Sequence, residues 1–69
     1  MIALRRNVRE ELRIERQEYR GHDLINIRVW YDDGTGEYRP GKQGVAFRAE
    51  LLPEVFDALS SLSNEKEAA

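Results

Sequence analysis

A chain of 69 residues without cysteine is one small domain, able to bury only about 60% of its unfolded surface. It lacks the disulfides and thiolate metal cages that often brace such domains, which leaves self-association as the remaining common support, so a homodimer is expected. The net charge of −2 excludes a uniformly basic surface, yet residues 1–48 carry ten Lys/Arg against eight Asp/Glu, while residues 49–69 carry one Lys against five acids.

The basic side chains are mostly arginine, nine of eleven, and a guanidinium fork suits phosphates and base edges better than an ammonium does. An anionic partner for the first two thirds of the chain is therefore one reading of the charge asymmetry. The start, MIALRRNVREELR, interrupts its apolar residues with Arg5, Arg6 and Arg9, so it has no continuous apolar leader core. No run approaches the roughly 18 apolar residues of a membrane span. A soluble cytoplasmic protein, nucleoid-associated if it binds DNA, is expected.

In chain order, residues 1–10 read as a loose or helical start, because Leu4, Val8 and Leu12 fall at helical spacing. From Leu12 the pattern LRIERQEY alternates, which predicts a first strand at about 11–19. A turn centred on Gly21 follows. Residues 24–31, LINIRVWY, alternate Ile25, Ile27 and Val29 against Asn26, Arg28 and Trp30, giving a second strand. DDGTG is turn chemistry, since Asp accepts local backbone bonds and Gly supplies positive φ. EYR then makes a short third strand stopped by Pro40-Gly41, and QGVAFR a fourth. From Glu50 the period changes to helical: Leu51, Leu52, Val55, Phe56, Leu59 and Leu62 form one face. Pro53 restricts the start to about Glu50, and the helix is expected to end near Ser63 or Asn64, with 65–69 a frayed tail. The expectation is an α+β domain over 11–64, a four-stranded sheet followed by one helix. Its apolar helix face is wider than one such sheet needs, and the surplus suits the same helix of a second copy.

Catalytic chemistry finds no support. His22 is the only histidine, and a lone His at a turn is ordinarily a polar turn residue; metal sites want several ligands at fixed spacing. Asp32-Asp33 reads as turn capping rather than an acid–base pair. No GxSxG elbow is present, and GTGEYRPGKQG lacks the phosphate-loop spacing, with Pro40 where its helix would begin. Neither an enzyme nor a cofactor or metal is expected. The combination of Tyr19-Arg20, Arg28, Trp30, Tyr31, Tyr38-Arg39, Lys42 and Arg48 along the strands fits single-stranded nucleic acid, where aromatic faces stack on bases and cations follow phosphates. On composition and alternation alone, the favoured reading is an ordinary one, with the aromatics as core or rim packing and the arginines as a solvated sheet face.

The segments YRGHDLINIRVWY and GEYRPGKQGVAF, followed by an amphipathic helix, resemble the C-terminal domain of the transcriptional positive cofactor four family over roughly residues 12–62. The resemblance implies a curved antiparallel sheet with a helix, assembled as a homodimer through Leu51, Leu52, Val55, Phe56, Leu59 and Leu62. It also implies sequence-tolerant binding of single-stranded DNA, in a transcription or DNA-repair accessory role with transcription machinery as a further partner. Eukaryotic members carry a serine-rich extension, and nothing like it precedes Leu12, so the chain looks like a compact bacterial-type member. By the same resemblance Tyr19 and Tyr31 are stacking aromatics with Trp30 beside the latter, and Arg20, His22, Arg28, Arg39 and Lys42 are basic positions. His22 stands where a permanent cation is usual, and Gln43 is neutral at another often basic position. Strict alternation puts Tyr31 with the apolar residues, which leaves open whether Trp30 or Tyr31 meets a base. A protein-interaction adaptor and an RNA-binding module of the same dimeric fold are the alternatives.

Overall fold

The computed structural model describes the backbone of residues 1–68 and the side chains of residues 1–65. Strands β1 (Ile2–Arg5), β2 (Glu10–Tyr19), β3 (His22–Asp32) and β4 (Tyr38–Arg48) form one antiparallel sheet in that order. A single 3-10 turn, Ala49–Leu51, leads into α1 (Leu52–Ala68). The expected α+β architecture is present. Among the described residues, no helix is long and apolar enough to cross a membrane.

Register assigns the two faces. Leu12 opposes Val29 and Ile14 opposes Ile27 across β2 and β3, Ile2 and Leu4 extend this row on β1, and Val45 and Phe47 extend it on β4. The other face holds Arg5, Glu11, Arg13, Asn26, Arg28, Trp30 and Tyr38, as period-two alternation requires. Among the described residues, only Ile25 and Val29, at 5% and 9% exposure, are buried.

Three boundaries differ from the sequence-based expectation. The first five residues are not loose: Ile2 and Leu4 pair with Ile14 and Leu12 as β1. Four alternating residues are too few to outweigh the helical spacing of Leu4, Val8 and Leu12, and Val8 instead projects from the loop tip at 93% exposure. The expected third and fourth strands are one strand, β4. The register jumps between Arg28↔Gly44 and Trp30↔Pro40, so Gly41, Lys42 and Gln43 bulge opposite Val29 alone. Pro40 is tolerated because β4 is an edge strand, whose outer side needs no ladder donor. Finally, α1 continues to Ala68, through most of the expected tail; Ala69 lies outside the described residues.

The helix also does not cover its own sheet. It leaves through the 3-10 turn, so Leu51, Leu52, Phe56, Leu59 and Leu62 are all exposed, Phe56 to 66%, and Val55 is only half-buried. The radius of gyration is 14.3 Å, against about 11 Å for a compact domain of this length.

Two tight places fix the hairpins. Arg20 and Gly21, at φ 51° and 79°, make the two-residue turn between the paired Tyr19 and His22; positive φ at both positions matches the twist of a hairpin. At the bulge, Arg28 Nη1 donates to the Gly41 carbonyl at 3.1 Å, and its guanidinium lies over Gly44. A Cβ at Gly44 would come within 2.9 Å of both Arg28 Cζ and the Ile27 carbonyl oxygen. Gly44→Ala is therefore expected to cost about 1–3 kcal/mol by overpacking, read as a lower urea midpoint; an unchanged midpoint would mean that Arg28 does not brace the bulge.

Candidate nucleic-acid interface

The loop at residues 6–9 sets the geometry of one end of the sheet. Asn7 Oδ1 accepts the N–H groups of Arg9 and Glu10, each at 3.0 Å, and Asn7 Nδ2 donates to Glu10 Oε1 at 2.6 Å. The loop is then tied across the sheet. The Asp32 N–H donates to the Arg9 carbonyl at 2.8 Å, and Arg6 Nη1 donates to Gln43 Oε1 in the β4 bulge at 3.0 Å. A side chain following the first strand can reach the fourth only because this end of the sheet is rolled.

Tyr31 sits within that roll. It belongs to the apolar row, as alternation requires, but lies at the strand end beyond the core and is 41% exposed. On one side an open groove of about 500 Å³ is lined by Asn7, Val8, Arg9, Glu10, Tyr31 and Asp32. On the other, a smaller hollow is lined by Glu10, Val29, Tyr31, Gly41, Lys42 and Gln43. An exposed phenol thus stands between two depressions, with Arg9 and Lys42 at their margins.

Trp30 points to the opposite face and its ring is occupied. The Arg13 guanidinium lies 4.1 Å from the Trp30 ring centre and 5.6 Å from that of Tyr38. Arg5 lies 5.8 Å from the Tyr38 ring and donates to its hydroxyl at 2.9 Å, which raises the Arg5 pKa further. Glu11 holds both cations, at 2.6 Å from Arg13 Nε and 3.7 Å from Arg5 Nη2. This cation–aromatic ladder, desolvated on one side, favours a fixed Trp30. Of the two neighbouring aromatics, Tyr31 has the ring face open to a ligand.

The remaining expected site residues are dispersed. Tyr19, Arg20 and His22 lie at the β2–β3 turn, with the Arg20 guanidinium 5.2 Å from the Tyr19 ring. Tyr31 is nine residues along β3 from His22, roughly 30 Å at strand rise. His22 lines a polar cleft with Arg16, Asp23 and Arg48, where Arg16 Nε holds Asp23 at 3.0 and 3.2 Å and lowers its pKa. Arg28 braces the bulge. Arg39 Nε is 2.6 Å from Asp33 Oδ2, so a phosphate reaching Arg39 must compete with a carboxylate. Among the described residues, Arg9, Arg20, Arg28, Lys42 and Arg48 have no carboxylate partner. Val8 and Arg9 did not emerge from the sequence, because their place depends on β1; the signal available was the Asn7 turn chemistry between two short alternating runs.

Comparison with known proteins agrees with this architecture. Residues 7–58 match the family described as Transcriptional Coactivator p15 (PC4). The RNA polymerase II transcriptional coactivator SUB1 of Saccharomyces cerevisiae is 39% identical over 44 residues, 62% of this chain. The chain spans only 15% of that yeast protein's length. The crystal structure of a PC4 homologue from Burkholderia pseudomallei superposes with a TM-score of 0.87 at 29% identity, covering 94% of this chain and 88% of that one. A bacteriophage T5 homologue of the eukaryotic coactivator, implicated in recombination-dependent DNA replication, gives a TM-score of 0.79 at 31% identity, covering 96% and 77% respectively.

The β3–β4 turn that anchors Arg39 supplies a pH test. The Thr35 hydroxyl, then the Thr35 N–H, then the Arg39 guanidinium hold the Asp33 carboxyl down to about 2, from an ordinary 3.8. A folded-state pKa below the unfolded one means that the stabilisation is complete above pH 3.8 and is lost as pH falls toward 2. An NMR titration of Asp33 should have its midpoint near 2, and Thr35→Ala should move it upward. A wild-type midpoint at 3.8 would mean that the turn is not assembled this way.

Proposed function

The chain belongs to the Transcriptional Coactivator p15 (PC4) family, and from that premise we propose that it binds single-stranded DNA as a homodimer, largely without regard to sequence, in a transcription or DNA-repair accessory role. The observation that carries this reading is Tyr31, an exposed ring between two hollows with Arg9 and Lys42 beside it. Unpaired bases offer a face to such a ring whatever their identity, and the cations take the adjoining phosphates. A duplex keeps its base faces stacked and cannot use the ring. The T5 homologue's link to DNA replication and the yeast relative's to transcription support DNA as the ligand class.

Tyr19, Arg20 and His22 form a second contact area, about 30 Å away along the hairpin. In this reading the strand runs between the two areas or passes from one protomer to the other. Trp30, Arg28 and Arg39 support the surface by holding the ladder, the bulge and the turn. The homodimer reading is supported by the apolar sheet and helix faces left uncovered in one protomer. Leu51, Leu52, Val55, Phe56, Leu59 and Leu62 are its proposed interface. Phe56→Asp should convert a species of twice 8.0 kDa into a monomer in sedimentation; a stable monomer of the unchanged chain at micromolar concentration would contradict the dimer.

For the ligand, a polarisation titration should show labelled single-stranded oligonucleotides binding far better than duplex. The logarithm of affinity should fall against the logarithm of salt by about 0.7 per neutralised phosphate. Tyr31→Ala should weaken binding by about 1–3 kcal/mol, the contribution of one stacked base. Absence of binding at low salt, or equal affinity for duplex, would overturn the reading.

A further inference from the structure

At the end of the sheet far from Tyr31, β3 runs past the last rung it shares with β4. His22 pairs with Tyr19 to close the hairpin, whereas β4 ends at Arg48 opposite Leu24 and the chain leaves in the 3-10 turn Ala49–Leu51. A polar cleft of about 360 Å³ opens in that gap, lined by Arg16, His22, Asp23, Arg48 and Glu50. Period-two alternation puts Tyr19, His22 and Arg48 on one face. Tyr19 is directly opposite His22, and Arg48 lies on the diagonal, roughly 7–8 Å away. Arg16 is taken up by Asp23, which it holds through Nε at 3.0 and 3.2 Å. Among the described residues, Arg48 and Glu50 form no ion pair. Just outside the cleft, Glu18 stands opposite Asp23 on β2, and the Arg20 guanidinium lies 5.2 Å from the Tyr19 ring. Two arginines thus meet two carboxylates in the lining. The cleft is neutral while His22 is neutral and carries one net positive charge when His22 is protonated.

We propose that this cleft is a proton-gated phosphate site, in which His22 and Arg48 together hold one phosphate of a strand whose base stacks on Tyr19. The inference rests on the single-strand reading above and adds to it a residue, Arg48, and a pH dependence. Tyr19 is 58% exposed, so a base can lie on its ring, and the phosphate flanking that base is then within reach of the residue opposite. The Arg48 guanidinium offers its fork to two phosphate oxygens. A protonated imidazole adds a further donor and a charge. With a neutral ring, the phosphate meets Arg48 and Glu50 as opposite charges that cancel. Histidine is the side chain whose charge ordinarily changes between pH 5 and 8, and His22 is the only one in the chain. The charged form is the binding form, so affinity rises as pH falls through that range and is lost above it. Asp23 does not oppose this change, because Arg16 holds its pKa below the ordinary 3.8.

The test is a polarisation titration of labelled oligo(dT), whose bases do not titrate in this range, at pH 5.5 and pH 8.0 and constant ionic strength. The wild-type chain should bind about fivefold more tightly at pH 5.5 for each cleft engaged, the effect of one unit charge beside a phosphate in a water-exposed site. His22→Gln should bind at both pH values as the wild type does at pH 8.0, and His22→Lys at both as it does at pH 5.5. Arg48→Ala should lose more affinity at pH 5.5 than at pH 8.0; an equal loss at both would remove Arg48 from the site. By linkage, the His22 ring titration followed by NMR should move up the pH scale by about 0.7 on saturation with oligo(dT), the logarithm of the same fivefold ratio. Equal wild-type affinities at the two pH values, or a pH dependence that survives in His22→Gln, would overturn the gate while leaving the single-strand reading in place. An unmoved ring titration would do so without any variant, so the outcome does not hang on a variant that fails to fold. Failure to bind at either pH would overturn both readings.

Discussion

The bond from the Asp32 N–H to the Arg9 carbonyl is the constraint on which the described end of the molecule depends. It joins the loop after β1 to the end of β3, and with the Arg6–Gln43 contact it closes three strand junctions into one rolled edge. A single such bond contributes only about 1 kcal/mol net. Its effect is geometric: it fixes Val8 and Arg9 beside Tyr31, so that a ring at the end of β3 becomes one side of a groove. The Asn7 turn serves the same end, because it satisfies two loop N–H groups and leaves the loop one conformation.

Charge is used here chiefly for position. Most arginines face a carboxylate or an aromatic ring of the same chain, and exposed pairs of this kind add little stability, about 0–1 kcal/mol each. What they do is hold planar groups in register. Arg13 is held over Trp30 by Glu11 at its Nε, and Arg39 stays by the turn because Asp33 is already fixed by Thr35. The polar face is thereby built from its own cations and rings. The groove at Tyr31 and the Tyr19–Arg20 turn are where aromatic surface and cations without a carboxylate partner are left available together.

Much of this was legible in the sequence. Alternation in β3 gave the faces correctly, including the placement of Tyr31 with Ile27 and Val29, and the change of period at Glu50 marked the helix. What alternation cannot say is which neighbour covers a side chain. Trp30 and Tyr31 are equivalent aromatics in the sequence; only cross-strand register shows that Arg13 occupies one of them. The strand β1 was hidden because its four residues are followed directly by Arg6, Asn7 and Val8, the last at helical spacing from Leu4 and Leu12. Pro40-Gly41 reads as a strand end, since the edge position that permits a bulge there is a property of the sheet order. The helix stripe was legible, but the departure of α1 from its own sheet was not, because a stripe records only that something apolar must cover it.

That open arrangement ties stability to function. A sheet with two buried side chains and a helix with an uncovered face are incomplete alone, and a second copy in the proposed homodimer would complete both while bringing two Tyr31 grooves into one particle. The central claim remains the groove. Titrating the labelled chain with a short single-stranded oligonucleotide and following its NMR spectrum tests it most directly. The account predicts shifts at the amides of residues 7–10, the Tyr31 ring, Asp32 and Lys42, with the Trp30 indole N–H unmoved. Shifts centred on the Trp30 indole, with Tyr31 silent, would contradict it.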